Sequence, residues 1–259
     1  MSSRSAGGAP GTSQGEPTVG SRRRRRRIDP NEERTIELIA TVSHEIRSPL
    51  TTIKGFTKTL LDRWERLDDD IKLDMLRAIN DDADRVTRIL TELLDVSRIE
   101  AGKLSLHLQP VDVRDLAAQV VDRLGDRSER HVVVLGEGTG PVEVAGDPDK
   151  LRQVLTNFIE NAQKYSEGGT VAVNCRADSG WGIVQVADQG PAVPKEMLGR
   201  IFEKFARREL PGSPTGTGLG LYICRGLIEA QGGDIGLITD AGSTFWFALP
   251  LADTGTGDA

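Results

Sequence analysis

Apolar side chains recur in steps of three and four along residues 36–64, and this spacing predicts one long amphipathic helix. The repeat follows a heptad-like face, and the helix is about 42 Å long at 1.5 Å per residue. Polar residues 65–70 interrupt the pattern, and a second repeat ends near Gly102, a residue suited to a helix C-terminus. The two apolar faces comprise Ile36, Ile39, Ser43, Ile46, Leu50, Ile53, Thr57, Leu60 and Trp64, then Leu76, Ile79, Ala83, Val86, Leu90 and Leu93.

Two long helices joined by a short turn predict an antiparallel hairpin. A single hairpin covers only part of its apolar stripe. We therefore expect two copies to pair as a dimeric four-helix bundle, which makes the protein a homodimer. An ordinary structural coiled coil is the simpler alternative.

Beyond Gly102 the periodicity is mixed and predicts an α+β sandwich, with one mixed sheet and helices on one face. A tight turn around Asp178, Ser179 and Gly180 predicts a β-hairpin. Strands are expected at residues 104–108, 132–135, 170–177, 181–187, 234–239 and 243–249, and helices at 112–124, 147–165 and 219–230.

The two ends of the chain are predicted to be disordered. Residues 1–30 are rich in Gly, Ser, Pro and Thr and end in six consecutive arginines, Arg22 to Arg27. A solvated basic tail is the default interpretation of that run, and an anionic membrane surface or nucleic acid is the alternative partner. The sequence thus predicts four segments along the chain, namely a basic tail (1–30), a helical hairpin (31–102), an α+β domain (103–250) and a second tail (251–259).

Composition narrows the functional classes. The formal net charge of −6 gives no support for nucleic-acid binding by the folded part, and no window approaches the roughly 18 apolar residues of a membrane helix. Without a signal-peptide pattern either, the sequence predicts a soluble, cytoplasmic protein. Cys175 and Cys224 are predicted to be buried free thiols, and His107 and His131 to lie at the surface or edge of the α+β domain.

The first helix contains the segment HEIRSPL, residues 44–50. His44 lies one position off the apolar face and is expected to project from the flank of the bundle. A solvent-facing imidazole is largely neutral near pH 7, and its nitrogen is then a competent nucleophile. Glu45 can hydrogen-bond the other ring nitrogen, and Pro49 removes a helical hydrogen bond, which should bend the helix.

The predicted helix at residues 147–165 places Asn157, Asn161 and Lys164 on one face, at spacings of four and three. Two amide oxygens and an ammonium in one row suit Mg²⁺ and phosphate, although an ordinary polar helix face would explain any one of them.

Two glycine-containing turns add candidate ligand contacts. Asp188 ends a strand and precedes Gly190, so its carboxylate can accept a hydrogen bond from an exocyclic amine such as that of adenine. Residues 216–221 read GTGLGL and open a helix, where backbone N–H groups can approach phosphate oxygens. Each turn is a weak signal alone, and the missing β-α-β unit excludes a dinucleotide-binding fold.

Taken together and in order, these segments resemble the two-component sensor histidine kinases over about residues 36–250. The resemblance implies a dimerisation and phosphotransfer hairpin followed by a Bergerat-type ATP-binding domain. It makes His44 the phosphoacceptor and Glu45 its acid/base partner. The implied partner is a cognate response regulator whose aspartate takes the phosphoryl group.

The same resemblance assigns residues to ATP and Mg²⁺. Asn161 is implied to ligate Mg²⁺ with support from Asn157. The residues implied to contact or shape the nucleotide site are Asn157, Asn161, Lys164, Tyr165, Asp188, Gly190, Gly216, Thr217, Gly218, Leu219, Gly220 and Thr244, with Phe202 and Phe205 anchoring a mobile lid.

Two departures from the family pattern have consequences. Ala192, preceded by Pro191, stands where the family has a second glycine, which should stiffen that turn and weaken ATP binding or slow the lid. Ser48 stands where kinases with phosphatase activity often have Thr or Asn, so a retained phosphatase activity is expected through its hydroxyl. The sequence shows no sensor domain, so the signal is expected from a separate protein or from a longer gene product.

Two alternatives belong to other classes. One is a dimeric ATP-binding scaffold that no longer transfers phosphate because of the altered turn at Ala192. The other is an ATPase or serine kinase that shares the nucleotide pocket and does not need His44.

Overall fold

The computed structural model describes residues 30–125, 130–138, 140–206, 216–240 and 242–252, with side chains from residue 40 onward. Helices α1 (Pro30–Arg63) and α2 (Asp69–Glu100) follow one another and are joined by a single 3₁₀ turn, Trp64–Arg66. The helix α1 continues through Pro49. The predicted helical hairpin is therefore confirmed.

Helix α2 ends just before Gly102, as predicted from the sequence. Ala101 caps the helix, and Gly102 adopts a left-handed conformation with φ of 60°. A side chain is disfavoured in that conformation, which is why glycine occurs at this helix end.

The remaining chain forms a five-stranded mixed sheet in the order β2-β4-β5-β7-β6. Only β2 and β4 are parallel, and every other pair in this sheet is antiparallel. The strands are β2 (His131–Leu135), β4 (Gly169–Asp178), β5 (Trp181–Asp188), β6 (Asp234–Thr239) and β7 (Ser243–Pro250). The β4–β5 turn has positive φ at both Ser179 and Gly180, as the sequence predicts for a tight hairpin.

Three helices cover the sheet, namely α3 (Val113–Gly125), α4 (Pro148–Tyr165) and α6 (Gly220–Glu229). Alternate strand residues such as Val171, Val173 and Phe247 are buried beneath them, whereas Val132 is exposed on the opposite face. The period of two in this burial leaves one face of the sheet covered by helices, as expected for an α+β sandwich.

Helix α4 begins at a well-formed cap. The side chain of Asp147 accepts hydrogen bonds from the backbone N–H groups of Asp149 and Lys150, and Pro148 occupies the first helical position. The same carboxylate accepts the N–H of His107, which fastens the segment after the hairpin to this helix.

Several elements differ from the sequence prediction. Residues 104–108 form no strand. Instead β1 (Gln109–Asp112) pairs with β3 (Glu143–Gly146) in a separate two-stranded ribbon, and a short helix α5 (Lys195–Leu198) follows β5. The predicted strand at His107 is therefore wrong. His131 begins the edge strand β2 as expected, but its side chain is buried and its Nε2 lies 2.8 Å from Ser166 Oγ.

From Leu38 onward the chain forms one compact unit, so the hairpin packs on the α+β region (residues 103–252). Val96 of α2 is buried in the shared core. Ile99 packs closely on Gly226 of α6, because a methyl group added at Gly226 would lie 2.8 Å from the Ile99 side chain. These residues form a different face of α2 from the predicted apolar repeat, which leaves Leu76 and Leu90 exposed.

The predictions for the two tails, for membrane-spanning helices and for the two cysteines remain. The basic run and most of the predicted tails 1–30 and 251–259, namely residues 1–29 and 253–259, lie outside the described residues. Pro30 instead begins α1, and the N–H groups of Leu251 and Ala252 donate hydrogen bonds to the carbonyls of Gly180 and Glu143, so the ordered chain extends past residue 250. Within the part that is described, no helix is both long and apolar enough to span a membrane. Cys175 and Cys224 are free and buried, as predicted.

Candidate active site

A cavity of about 590 Å³ lies between the hairpin and the helices of the α+β region. Its walls come from α1, α2, α4, the glycine loop (residues 216–220) and the ends of β5 and β7. The polar groups on these walls include Glu45, Arg85, Arg88, Glu92, Asn157, Asn161, Lys164, Asp188 and Thr217.

Helix α4 brings the predicted polar row to the cavity. Asn157, Asn161, Lys164 and Tyr165 all line it, while the other side of the helix buries Phe158 and its apolar neighbours. The amide of Asn161 donates a 2.8 Å hydrogen bond to the Oδ1 of Asn157. The Lys164 ammonium lies 5.4 Å from the centroid of the Tyr165 ring, so the row ends in a cation beside an aromatic face.

The glycine loop lies directly beside this row. Gly216, Thr217, Gly218 and Gly220 line the wall, and Gly218 adopts a φ of 70°. A methyl group at Gly220 would clash with the Asn157 amide, and one at Gly216 would lie 2.7 Å from the Lys164 ammonium. Glycine therefore lets the loop backbone lie against the polar row, and the residues that line the cavity fit a phosphate chain with a hard cation.

Leu219 is the exception within this loop. Its side chain is fully buried in the core and is not part of the cavity wall, so a contact between Leu219 and nucleotide stays a prediction that the cavity does not support. Its N–H donates a 3.2 Å hydrogen bond to Thr217 Oγ1. Leu219 thus anchors the loop to the core from the apolar side.

Asp188 lies at the end of β5 and lines the opposite end of the cavity. Burial raises the pKa of its carboxyl, although hydrogen bonds from the N–H groups of Gly190 and Ser243 act in the other direction. The bond from Gly190 measures 2.7 Å. Gly190 itself is absent from the wall; it packs against Ser166, and its contribution is to orient Asp188.

The last strand, β7, contributes different residues from the one expected. Ser243 and Phe245 line the cavity, whereas Thr244 does not. Successive side chains of a strand point to opposite faces, so Thr244 lies on the face away from the site. The implied support of the nucleotide site by Thr244 stays a prediction, and its neighbours Ser243 and Phe245 are the β7 residues on the cavity wall.

Phe202 and Phe205 are partly buried against the core and do not line the cavity. The N–H of Phe205 donates a 3.0 Å hydrogen bond to the carbonyl of Gly218, and Phe205 has a φ of 63°. This bond ties the end of one flanking segment to the glycine loop. Residues 207–215, which contain most of the predicted lid, lie outside the described residues.

The predicted catalytic residues of α1 divide between two faces. His44 and Ser48 are exposed, one helical turn apart, and neither lines the cavity. Glu45 faces the cavity instead, with a side chain only 6% exposed, and its carboxylate accepts a 2.8 Å bond from Arg85. The structure thus brings Glu45, but not the imidazole of His44, to the cavity wall.

Sequence reasoning missed the contribution of α2 to the site. Arg85, Arg88 and Glu92 line the cavity at spacings of three and four, together with Asp81 and Asp82. Arg88 pairs with Glu160 of α4 at 3.2 Å, and Glu92 accepts a 2.6 Å bond from Thr217. The spacing placed them on one helix face, but only the packing of α2 on the α+β region reveals what that face meets.

Comparison with known families matches both halves of this arrangement. Residues 35–102 match the family model of the His Kinase A (phospho-acceptor) domain, and residues 146–253 match that of the histidine kinase-, DNA gyrase B- and HSP90-like ATPases. The chain belongs to the two-component sensor histidine kinases. It contains the phosphoacceptor and ATP-binding domains of a protein histidine kinase.

The sensor histidine kinase GacS of Pseudomonas protegens is 36% identical over 230 residues, which cover 84% of this chain and 25% of that protein. A structure of ShkA in complex with AMPPNP has a TM-score of 0.60 at 30% identity and covers 83% of this chain and 46% of the other. The histidine kinase AdeS of Acinetobacter baumannii shares the fold, with a TM-score of 0.62, 24% identity, and coverage of 81% of this chain and 98% of the other. The chain spans about a quarter of the length of GacS.

Proposed function

We propose that this chain uses ATP to phosphorylate its own His44 and then passes the phosphoryl group to an aspartate of a response regulator. The observation that supports this most directly is one cavity that combines the glycine loop, the Asn157–Asn161 pair and Glu45, the neighbour of His44. A nucleotide site that served ATP hydrolysis alone would not need the phosphoacceptor helix in its wall.

Each group has a defined task in the proposed reaction. A ring nitrogen of His44 attacks the γ-phosphorus of ATP, the bond to the β–γ bridging oxygen breaks, and ADP leaves. Glu45 hydrogen-bonds the other ring nitrogen and stabilises the imidazolium that forms. The glycine loop and Lys164 hold the phosphates, and Asp188 accepts a hydrogen bond from the adenine amine.

Asn161 would hold Mg²⁺ with support from Asn157, and a bound Mg²⁺ would neutralise part of the phosphate charge. Both amides already face the cavity and touch each other, so little side-chain ordering remains for binding. Tyr165 closes the same end of the row beside the Lys164 ammonium.

The described arrangement is not yet competent for transfer, because His44 lies outside the cavity wall. We infer that the hairpin and the ATP-binding domain change their relative position before the reaction. The polar contacts that would break include the hydrogen bonds from Thr217 to Glu92 and from Gln153 to Asp95, and the ion pairs of Arg88 with Glu160 and of Lys204 with Glu100. The packing of Ile99 on Gly226 would also be lost.

A homodimer formed through the hairpin is the second part of the proposal. The hairpin exposes large apolar side chains, and their burial against a second copy would remove this surface from water. The exposed residues are Leu50, Leu61, Trp64, Ile71, Leu73, Leu76, Leu90 and Leu94. We further propose that a response regulator docks beside His44, and that the input signal reaches the hairpin from a sensor region or a separate sensor protein.

The exposed hydroxyl of Ser48, one helical turn after His44, supports a phosphatase activity toward the phosphorylated regulator. The hydroxyl could orient a water molecule there. Replacement by Ala should slow dephosphorylation of the regulator without preventing labelling of His44.

The test of the kinase is incubation with γ-labelled ATP and Mg²⁺, followed by acid and alkali treatment of the labelled chain. Acid-labile, alkali-stable label that is absent from His44→Gln supports the proposal. An unlabelled wild type that still binds ATP would favour the scaffold alternative and make Ala192→Gly the next variant. Unchanged phosphate release in His44→Ala would favour an ATPase.

A further inference from the structure

The buried carboxylate of Glu45 has its charged partner on the other helix of the hairpin. Arg85 Nη2 lies 2.8 Å from Glu45 Oε2, and the two residues are 40 positions apart in the chain. The side chain of Arg85 is 33% exposed, against 6% for Glu45, so the arginine reaches from the cavity toward a carboxylate that water scarcely touches.

Burial of an ionised carboxylate is costly unless a cation and hydrogen bonds compensate it. A guanidinium suits this role because its planar donors fix the direction of the carboxylate as well as its charge. Arg85 therefore fixes the direction of the Glu45 carboxylate oxygens. Glu45 is the residue directly after the phosphoacceptor His44.

We propose that Arg85 is a positioning residue for the phosphoryl transfer. It sets the orientation from which the carboxylate of Glu45 serves the imidazole of His44. Arg85 acts through Glu45 and not through the nucleotide. This inference rests on the proposed autophosphorylation of His44.

The proposal predicts a loss of turnover without a loss of binding. Replacing Arg85 by Gln should lower kcat for autophosphorylation on the order of tenfold to a hundredfold, part of the hundredfold or more that a positioned acid/base group contributes. The Kd for AMPPNP should change less than about threefold, and Arg85→Lys should recover only part of the rate, because it retains the charge but not the planar donors. Arg77→Gln is the matched control, since Arg77 forms an exposed ion pair with Asp74 on the same helix.

A double-mutant cycle with Glu45→Gln tests whether Arg85 acts through Glu45 or by direct contact with the phosphates. If Arg85 acts through Glu45, Arg85→Gln has no further effect on kcat in the Glu45→Gln background. Equal effects of Arg85→Gln in both backgrounds, or a large rise in the Kd for AMPPNP with kcat unchanged, would overturn the proposal in favour of direct phosphate contact.

The melting temperatures of the same four proteins give a readout that does not depend on activity. The Glu45–Arg85 pair predicts that the double variant loses less than the sum of the two single losses. If wild type takes up no label, the kinase proposal fails by itself, and the melting cycle still reports on the pair. Additive melting shifts would show that Arg85 does not hold Glu45 and would contradict the inference.

Discussion

The carboxylate of Glu92 accepts a hydrogen bond of 2.6 Å from the hydroxyl of Thr217. Glu92 belongs to α2 of the hairpin, whereas Thr217 belongs to the glycine loop of the ATP-binding domain. Burial raises the pKa of Glu92 above its ordinary value, although the Thr217 hydroxyl and the charge of Arg88 act in the opposite direction. One contact thus joins the two domains and responds to pH.

The raised pKa of Glu92 predicts how stability depends on pH. The folded chain binds this proton more tightly than the unfolded chain, so the free energy of unfolding falls as pH rises from 4.5 through the raised pKa. Glu92→Gln retains an acceptor for Thr217 and removes the charge. We expect the variant to melt at a higher temperature than wild type above this pH window and at the same temperature below pH 4.5.

Calorimetry of both proteins from acid to neutral pH measures this difference. Glu203→Gln is the control, because Glu203 forms an exposed pair with Arg200 and should leave the pH profile unchanged. A wild type and a Glu92→Gln variant with parallel pH profiles would contradict a destabilising charge at this contact.

Gly220 and Gly55 form a matched pair of glycines for testing the phosphate cradle. A methyl group at Gly220 would clash with the Asn157 amide, whereas one at Gly55 of α1 meets nothing within 4 Å. Gly220→Ala should therefore displace Asn157 and weaken the binding of Mg²⁺-AMPPNP by at least about tenfold, a change of roughly 1.4 kcal/mol. Titration calorimetry measures the affinity directly.

Gly55→Ala should leave that affinity unchanged and stabilise the hairpin by about 0.5–1 kcal/mol, since alanine favours a helix interior. Equal affinities for the two variants and wild type would show that the space beside Asn157 is not used by the nucleotide.

Asp147 and Asp68 both precede long helices, and only one forms a side-chain cap. Asp147 accepts backbone hydrogen bonds from Asp149 and Lys150, whereas Asp68 makes none at α2. Asp147→Ala should lower the free energy of unfolding by about 1–2 kcal/mol, and Asp68→Ala should change it little. Urea unfolding of the two variants compares them, and equal losses would contradict the assigned cap.

The same cap has a pH signature of the opposite sign from that of Glu92. Burial by itself would raise the pKa of Asp147, but the N–H groups of His107, Lys150 and Asp149 outweigh it and hold the pKa below its usual value. Its stabilising contribution is present above pH 3.8 and is lost as pH falls through the lowered pKa.

The two thiols should be unreactive while the chain is folded. Burial raises the pKa of Cys175 to about 11 and raises that of Cys224 as well, so neither forms the thiolate that reacts with disulfide reagents. We expect a thiol reagent at neutral pH to label both residues only at the rate of unfolding. Rapid labelling of either residue in native buffer would contradict its buried position.

Local periodicity predicted most of the fold. The hairpin helices have long apolar repeats, α4 begins at a clear capping residue, and α6 follows the glycine loop. The β4–β5 turn contains Ser179 and Gly180 where left-handed backbone is required. The ribbon of β1 and β3 was not predicted, because each strand has only four residues and pairs with a partner about 30 positions away. Short strands of this kind depend on the surrounding packing more than on their own sequence.

Only some of the site residues could likewise be predicted from local sequence. Asn157, Asn161 and Lys164 follow from helix spacing, and the glycine loop follows from its composition. Leu219 and Thr244 do not line the cavity, because a motif names a segment and does not say which of its side chains turn away from the site. The acidic and basic groups of α2 were missed because their partners come from remote segments, and no local pattern indicates that packing.

In the proposed reaction His44 receives the phosphoryl group from ATP. Mass spectrometry of alkaline digests, made after incubation of the full chain with ATP and Mg²⁺, locates the modified residue. We expect a phosphoryl group on the peptide that contains His44. It should be lost on brief acid treatment and be absent from His44→Gln. Modification confined to Ser48 or to another hydroxyl, or no modification of a chain that binds AMPPNP, would contradict it.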